Sequence, residues 1–158
     1  MKFPMTVVGV ARLKTELHRL KTVDRPAVSA AIGEARAHGD LSENADYDAA
    51  KERQGFIEGR IAEIEHKLAG AQVIDPAAIA DHDGRIVFGA TVALADAASG
   101  DEVTYQIVGD DEADIKHGKI SIGSPIARAL IGKGEGDTAE VRAPGGVREY
   151  EILAVRYV

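Results

Sequence analysis

The 158-residue chain carries 19 Lys and Arg against 26 Asp and Glu, a formal net charge of −7, and it contains no cysteine. The lack of cysteine excludes a disulfide framework and thiolate catalysis, and the net charge argues against general attraction to nucleic acid. No apolar run approaches the roughly 20 residues that a membrane span needs, so we expect a cytoplasmic protein with no membrane partner.

Residues 1–75 are predicted to form an antiparallel coiled-coil hairpin. After Thr6, a candidate N-cap, apolar residues recur at the spacing of a coiled-coil seam: Val10, Leu13, Leu17 and Leu20. Pro26 then shifts the stripe by one residue, and Asp24 is placed to cap a new first turn. We expect the shift to change the helical winding locally, and Gly39 to end the helix.

The second helix of the hairpin has a more regular seam. Its residues alternate three and four apart, with one polar member: Tyr47, Ala50, Gln54, Ile57, Ile61, Ile64, Leu68 and Ala71. Helices joined by a short turn run antiparallel, so residues 39–48 are predicted to form the tip of the hairpin. The tip contains four acidic residues: Asp40, Glu43, Asp46 and Asp48.

Residues 76–84 are interpreted as a linker, and residues 85–158 as an α+β domain with a mostly antiparallel sheet and one helix. The predicted strands are short and β-rich: Arg85–Phe88, Thr91–Ala95, Val103–Val108, Lys119–Ile122, Ala139–Arg142 and Arg148–Tyr157. Ser124 and Pro125 are typical of an N-cap and first turn, which predicts the helix through Leu130. The string Asp111–Asp114 is interpreted as a solvated loop, because no Gly-rich phosphate loop accompanies it.

The residues alone leave two interpretations of Asp40 and Glu43 open. Their spacing resembles a capping box, although Ser42 could be the cap and leave Asp40 outside the helix. Alternatively, carboxylates at the end of a thin hairpin could complete a Mg²⁺ site whose other ligands come from a partner.

Four segments of the chain resemble the bacterial transcript-cleavage factors of the Gre family. They are Ile32–Tyr47, Ala50–Arg60, Ile107–Asp114 and Ser124–Gly132, in that order along nearly the whole length. The resemblance implies a coiled-coil hairpin followed by an FKBP-like domain. It also implies a factor that is not itself an enzyme and that stimulates RNA polymerase to cleave the 3′ end of backtracked nascent RNA.

The same resemblance implies roles for particular residues. Asp40 and Glu43 would act in the polymerase active site, where they would hold Mg²⁺ jointly with the polymerase, and the free protein is not expected to bind the ion. Arg36 and Lys51 would contact the nascent RNA. Ser124 and Pro125 would face the rim of the polymerase secondary channel. No small-molecule substrate is expected, and no role for Asp46 or Asp48 is implied.

Two alternatives remain at this point. An FKBP-like fold could belong to a peptidyl-prolyl isomerase or chaperone, although this domain offers few aromatic residues for such a pocket: Phe88, Tyr105, Tyr150 and Tyr157. The same scaffold could also be an inhibitor that binds the secondary channel, but the Asp-x-x-Glu tip matches the cleavage pattern.

Overall fold

The computed structural model describes residues 2–39, 44–79 and 84–158. Its described residues form two compact units: residues 10–71, and residues 2–9 together with residues 72–158. The first unit is a helical hairpin and the second is built on a sheet, which confirms the predicted α+β class. None of the helices in these ranges is both long and apolar enough to cross a membrane.

The hairpin is built from α1 (Val7–Arg19), a π-helical turn (Leu20–Asp24), α2 (Arg25–Ala37) and α3 (Ala45–Ala69). The predicted cap of α1 is confirmed, since Gly9 N donates to Thr6 Oγ1 at 3.1 Å. At 1.5 Å per residue, the 25 residues of α3 extend over about 37 Å.

The predicted seam is buried over most of its length. Leu17, Tyr47, Gln54 and Leu68 are half-buried. The fully buried seam residues are Val10, Leu13, Leu20, Val28, Ile32, Ala35, Ala50, Ile57, Ile61 and Ile64. These apolar side chains, rather than helix propensity alone, hold the hairpin together.

The change in winding occurs where the sequence predicts it. In the π-helical turn Leu20–Asp24, Arg25 N bonds to Leu20 O, five residues back, and Pro26 follows in the first turn of α2. Proline has no N–H and disfavours a regular helix on its N-terminal side, so one extra residue is accommodated there. The predicted cap is wrong: Asp24 has helical dihedral angles and makes no side-chain capping bond.

The second unit contains two sheets. Strands β1 (Phe3–Thr6) and β2 (Ala71–Ile74) pair with each other, a small sheet that the sequence analysis missed. In the five-stranded sheet the order is β5-β4-β3-β7-β6, and the pairing is antiparallel except between β4 and β5. Its strands are β3 (Thr91–Asp96), β4 (Glu102–Val108), β5 (Lys119–Ser121), β6 (Thr138–Ala143) and β7 (Gly146–Arg156).

Helix α4 (Pro125–Leu130) packs on this sheet through Ala127 and Leu130, both fully buried. The sheet and α4 enclose one apolar core, whose members include Val92, Leu94, Ile107 and Ile152.

The predicted strand Arg85–Phe88 is wrong. Ile86 exchanges backbone hydrogen bonds with the turn after α4, donating to Lys133 O at 2.7 Å and accepting from Gly132 N at 2.9 Å. The Tyr157 hydroxyl accepts from Val87 N and donates to Arg85 O, and burial raises its pKa. Ile86 and Phe88 are therefore buried, and the segment is hydrogen-bonded without joining a neighbouring strand.

Glu112 ties the N-terminal segment to the sheet unit. Its carboxylate accepts hydrogen bonds from Thr6 N at 2.9 Å, from the Thr6 hydroxyl, and from Gly109 N at 3.0 Å. A Cβ at Gly9 would lie 2.2 Å from the Glu112 side chain, so a larger residue there would displace the carboxylate from these hydrogen bonds. The prediction of a solvated loop at Asp111–Asp114 is therefore incomplete, because Glu112 makes these bonds and Asp114 exchanges backbone hydrogen bonds with Lys119.

Arg–Glu pairs link the helices of the hairpin. Arg60 makes a two-pronged contact with Glu16, from Nε to Oε2 at 2.6 Å and from Nη2 to Oε1 at 2.8 Å. Arg25 contacts Glu58 in the same way at 2.9 and 2.7 Å. These bonds hold the pKa of Glu16 and of Glu58 below the usual range.

We expect Arg60→Gln to lower the melting temperature of the protein by about 1–3 °C at pH 7, since the lost Arg60–Glu16 pair is partly exposed and screened by solvent. The pKa of Glu16 is lowered in the folded state. The Arg60–Glu16 pair therefore stabilises the fold fully at pH values above the unfolded-state pKa of Glu16, and this stabilisation is lost as the pH falls through the folded-state pKa. Circular dichroism melts of both proteins should therefore converge at a pH below the folded-state pKa of Glu16. A difference that persists at that pH would instead assign the contribution to packing of the arginine stem.

Candidate functional site

Two well-defined helix ends flank the tip of the hairpin: the C-terminus of α2 and the N-terminus of α3. Helix α2 stops at Ala37, where His38 N donates to Ala35 O at 3.2 Å and Gly39 N to Arg36 O at 3.1 Å. Gly39 has a φ of +100°, a conformation that favours glycine and confirms the predicted helix end.

Helix α3 is capped by Asn44. Tyr47 N donates to Asn44 Oδ1 at 3.1 Å, and the Asn44 side-chain amide donates to Ala35 O at 2.7 Å. One side chain thus satisfies an orphan N–H at the start of α3 and bonds a carbonyl at the end of α2.

This geometry corrects the capping interpretation of the tip. The residue that caps α3 is Asn44, so the prediction of a cap upstream, at Asp40 or Ser42, is wrong. Asp46 and Asp48 lie in the first turn of α3, where negative charge complements the helix dipole. Asp40 and Glu43 themselves lie outside the described residues.

Of the two bases expected to contact RNA, Arg36 lies beside the tip in the last turn of α2. Its guanidinium carbon is 6.0 Å from the centre of the Tyr47 ring, within the range of a cation–π contact. Lys51 follows Tyr47 by one helical turn on α3, and its ammonium donates to Gln54 Oε1 at 3.1 Å. Both bases are exposed.

In the described parts of the chain, no group of three or more His, Asp or Glu side chains is arranged to hold a metal ion. His38 Nδ1 and Asp46 Oδ2 are 4.0 Å apart, and both side chains are largely exposed.

In the second unit, Ser124 and Pro125 begin α4 as predicted. The Ser124 hydroxyl accepts from Ala127 N at 3.3 Å and donates to Ser121 O at 2.7 Å, so its proton is used within the fold. Pro125 is exposed in the first turn of the helix. Of the two residues, Pro125 is the one whose side chain is available to a partner.

The aromatic residues of this unit do not form one apolar pocket. Phe88 is buried in the core, and the Tyr157 hydroxyl is bonded to the backbone on either side of Ile86. Tyr105 and Tyr150 line an open groove of about 790 Å³, which they share with four carboxylates: Asp96, Asp101, Glu102 and Glu149. This groove lacks the aromatic lining of a prolyl isomerase pocket.

Comparison with known proteins gives full-length similarity. Residues 3–73 match the family model described as "Transcription elongation factor, N-terminal", and residues 81–157 match "Transcription elongation factor, GreA/GreB, C-term". The chain belongs to the GreA/GreB family.

Several curated relatives are named transcription elongation factor GreA. The Ralstonia nicotianae protein is 74% identical over 98% of both chains. The Neisseria meningitidis serogroup A protein is 68% identical over 99% of both chains. The crystal structure of GreA factor homolog 1 (Gfh1) of Thermus thermophilus covers 99% of each chain, with 28% identity and a TM-score of 0.43.

Sequence reasoning missed two residues beside the tip of this GreA/GreB chain. Asn44 directly precedes a helical pattern, which is a capping signal that could have identified it as the N-cap. Its second bond, to Ala35 nine residues earlier, depends on how α2 and α3 pack and has no local signal. Tyr47 was predicted only as a seam residue, and its contact with Arg36 crosses the same helix pair.

Proposed function

We propose that this member of the GreA/GreB family binds bacterial RNA polymerase in the cytoplasm and stimulates the polymerase's own cleavage of backtracked RNA. In this proposal the hairpin enters the secondary channel, and the sheet unit docks on the channel rim. The factor supplies side chains to the polymerase active site and is not a separate enzyme. Removal of the RNA 3′ end would allow an arrested complex to resume elongation.

The observation that carries the proposal is the capping of α3. An N-cap side chain and first-turn acids are the usual structural reasons for carboxylates at a helix start. Asn44, Asp46 and Asp48 already fill these roles. The N-cap and the first-turn acids of α3 are thus residues other than Asp40 and Glu43, which supports a role in chemistry for these two carboxylates.

Asp40 and Glu43 would contribute two carboxylates to Mg²⁺ shared with the polymerase. In two-metal phosphodiester cleavage, the ions activate the attacking water and stabilise the leaving oxygen. Mg²⁺ prefers octahedral oxygen ligands, so the polymerase, the RNA and water would have to complete the coordination.

Arg36 is the better supported of the two RNA contacts. The ring of Tyr47 holds its guanidinium beside the tip, and a guanidinium can bond two phosphate oxygens at once. Lys51 would add a point charge one turn along α3, without the planar fork of arginine.

Two alternatives are less well supported. A prolyl isomerase would need an aromatic-lined pocket, whereas the groove beside Tyr105 and Tyr150 is open and lined with acids. An inhibitor that binds the channel needs only the hairpin and the proposed docking surface of the sheet unit, around Ser124 and Pro125. The cleavage experiment below separates such an inhibitor from a stimulator.

The first prediction from the proposed function concerns the tip carboxylates. Asp40→Asn and Glu43→Gln keep side-chain size and remove charge, so each should lower the maximal rate of RNA cleavage by about 100-fold, as expected for a lost metal ligand. The rate is measured on stalled, backtracked complexes with saturating factor. Asp46→Asn and Asp48→Asn are the matched controls and should cleave like wild type.

Wild-type cleavage by either Asp40→Asn or Glu43→Gln would contradict the metal-ligand role. A wild-type factor that slowed the polymerase's intrinsic cleavage would instead support the inhibitor.

The second prediction separates the dock from the tip. Pro125→Ala removes an exposed ring at a position where alanine is compatible with the helix, and should raise the half-saturating factor concentration about fivefold, as for a moderate interface contact. Excess factor should restore the wild-type cleavage rate. A lowered maximal rate would contradict a role limited to docking.

The third prediction concerns Arg36. Arg36→Gln should lower cleavage about tenfold, and Arg36→Lys should fall between this variant and wild type, because it keeps the charge and loses the fork. Arg19→Gln, which removes an exposed arginine of α1, is the control. Equal cleavage by Arg36→Gln and Arg19→Gln would reduce Arg36 to an ordinary surface charge.

A further inference from the structure

Asn44 is bonded to both helices that flank the tip. Its carbonyl oxygen accepts from Tyr47 N in α3 at 3.1 Å, and its amide nitrogen donates to Ala35 O in α2 at 2.7 Å. The second bond closes a segment of nine residues across the turn. Ala35 is 3% exposed, so this bond joins Asn44 to the packed part of the hairpin.

Capping alone does not require asparagine at this position. Serine, threonine and aspartate all offer an acceptor to the first turn of a helix. Aspartate, however, has no donor in its ionised form, and a serine hydroxyl is too close to its own backbone to serve both helices. Asparagine has an acceptor and a donor on one planar group, which matches the two bonds that are observed.

We propose that Asn44 is a positioning residue that fixes the separation between the end of α2 and the start of α3, and that RNA cleavage depends on this separation. The inference rests on the proposed function, because it assigns Asn44 an effect on cleavage through Asp40 and Glu43. Misplacement of a reacting group by about 1 Å can lower a rate by about 100-fold, so one bridging bond has measurable consequences.

The bridge is expected to affect the rate and not the affinity. The proposed dock, Pro125, belongs to the other compact unit, and Asn44 belongs to the hairpin. Loss of the bridge should therefore lower the cleavage rate at saturating factor and leave the half-saturating concentration unchanged.

The test compares Asn44→Ser with Asn44→Ala. Serine retains an N-cap acceptor for Tyr47 N and loses the bond to Ala35 O, whereas alanine loses both. Both variants should lower the maximal cleavage rate about tenfold. Asn44→Ser should melt within about 1 °C of wild type, and Asn44→Ala about 2–4 °C lower, since only alanine removes the N-cap acceptor.

Asp40→Asn, assayed in parallel, distinguishes failure of the positioning role of Asn44 from failure of the proposed function. If Asp40→Asn is inactive and Asn44→Ser cleaves like wild type, the bridge has no positioning role and this inference is overturned. It is also overturned if Asn44→Ser melts like Asn44→Ala, or if its half-saturating concentration rises. If Asp40→Asn itself cleaves like wild type, the proposed function fails first.

Discussion

The apolar seam between α2 and α3 is the constraint on which the tip depends. Buried Val28, Ile32 and Ala35 on α2 face a seam on α3 that includes Ala50 and Ile57. Side chains become small towards the tip: a groove of about 250 Å³ there is lined in part by Ala31, Ala35, Ala49 and Ala50. Beside this groove, the Asn44 amide donates to Ala35 O at 2.7 Å and so links the two helices at the end of the seam.

The π-helical turn keeps this seam in register. Without it, the one-residue shift at Pro26 would rotate the α2 stripe away from α3, and the residues that pack beside the tip would turn toward solvent. The extra residue in Leu20–Asp24 absorbs the shift, so Val28, Ile32 and Ala35 all remain buried. The Arg25–Glu58 contact spans the helices directly after this turn.

The sequence predicted elements whose signal is local and failed where the deciding contact is distant. Periodicity identified both seams and the strands β3, β4, β6 and β7, because one buried face is enough to produce it. The segment Arg85–Phe88 has the composition of a strand, yet its hydrogen bonds go to Lys133 and Tyr157, far along the chain. The pairing of β1 with β2 and the Thr6–Glu112 contact are non-local in the same way.

At the tip, the residues alone left capping and metal binding open for Asp40 and Glu43. The observed start of α3, one residue after Asn44, assigns the cap to Asn44, and the metal-binding role of Asp40 and Glu43 stays a prediction. Helix ends are the least well determined features of a sequence, and here a shift of two residues decides which side chain is the cap.

The proposed site contains only two carboxylates, and this number limits where the factor can bind Mg²⁺ and act. Two carboxylates leave most of an octahedral Mg²⁺ shell to other ligands, so the free factor would hold the ion weakly. Under the proposed function, the hairpin would then be inert toward other RNA and become active only where the polymerase supplies the missing ligands. Such a divided site makes the spacing of the two carboxylates important, since the partner cannot correct it. The bonds of Asn44 to Ala35 O and from Tyr47 N link the two helix ends from which the tip extends.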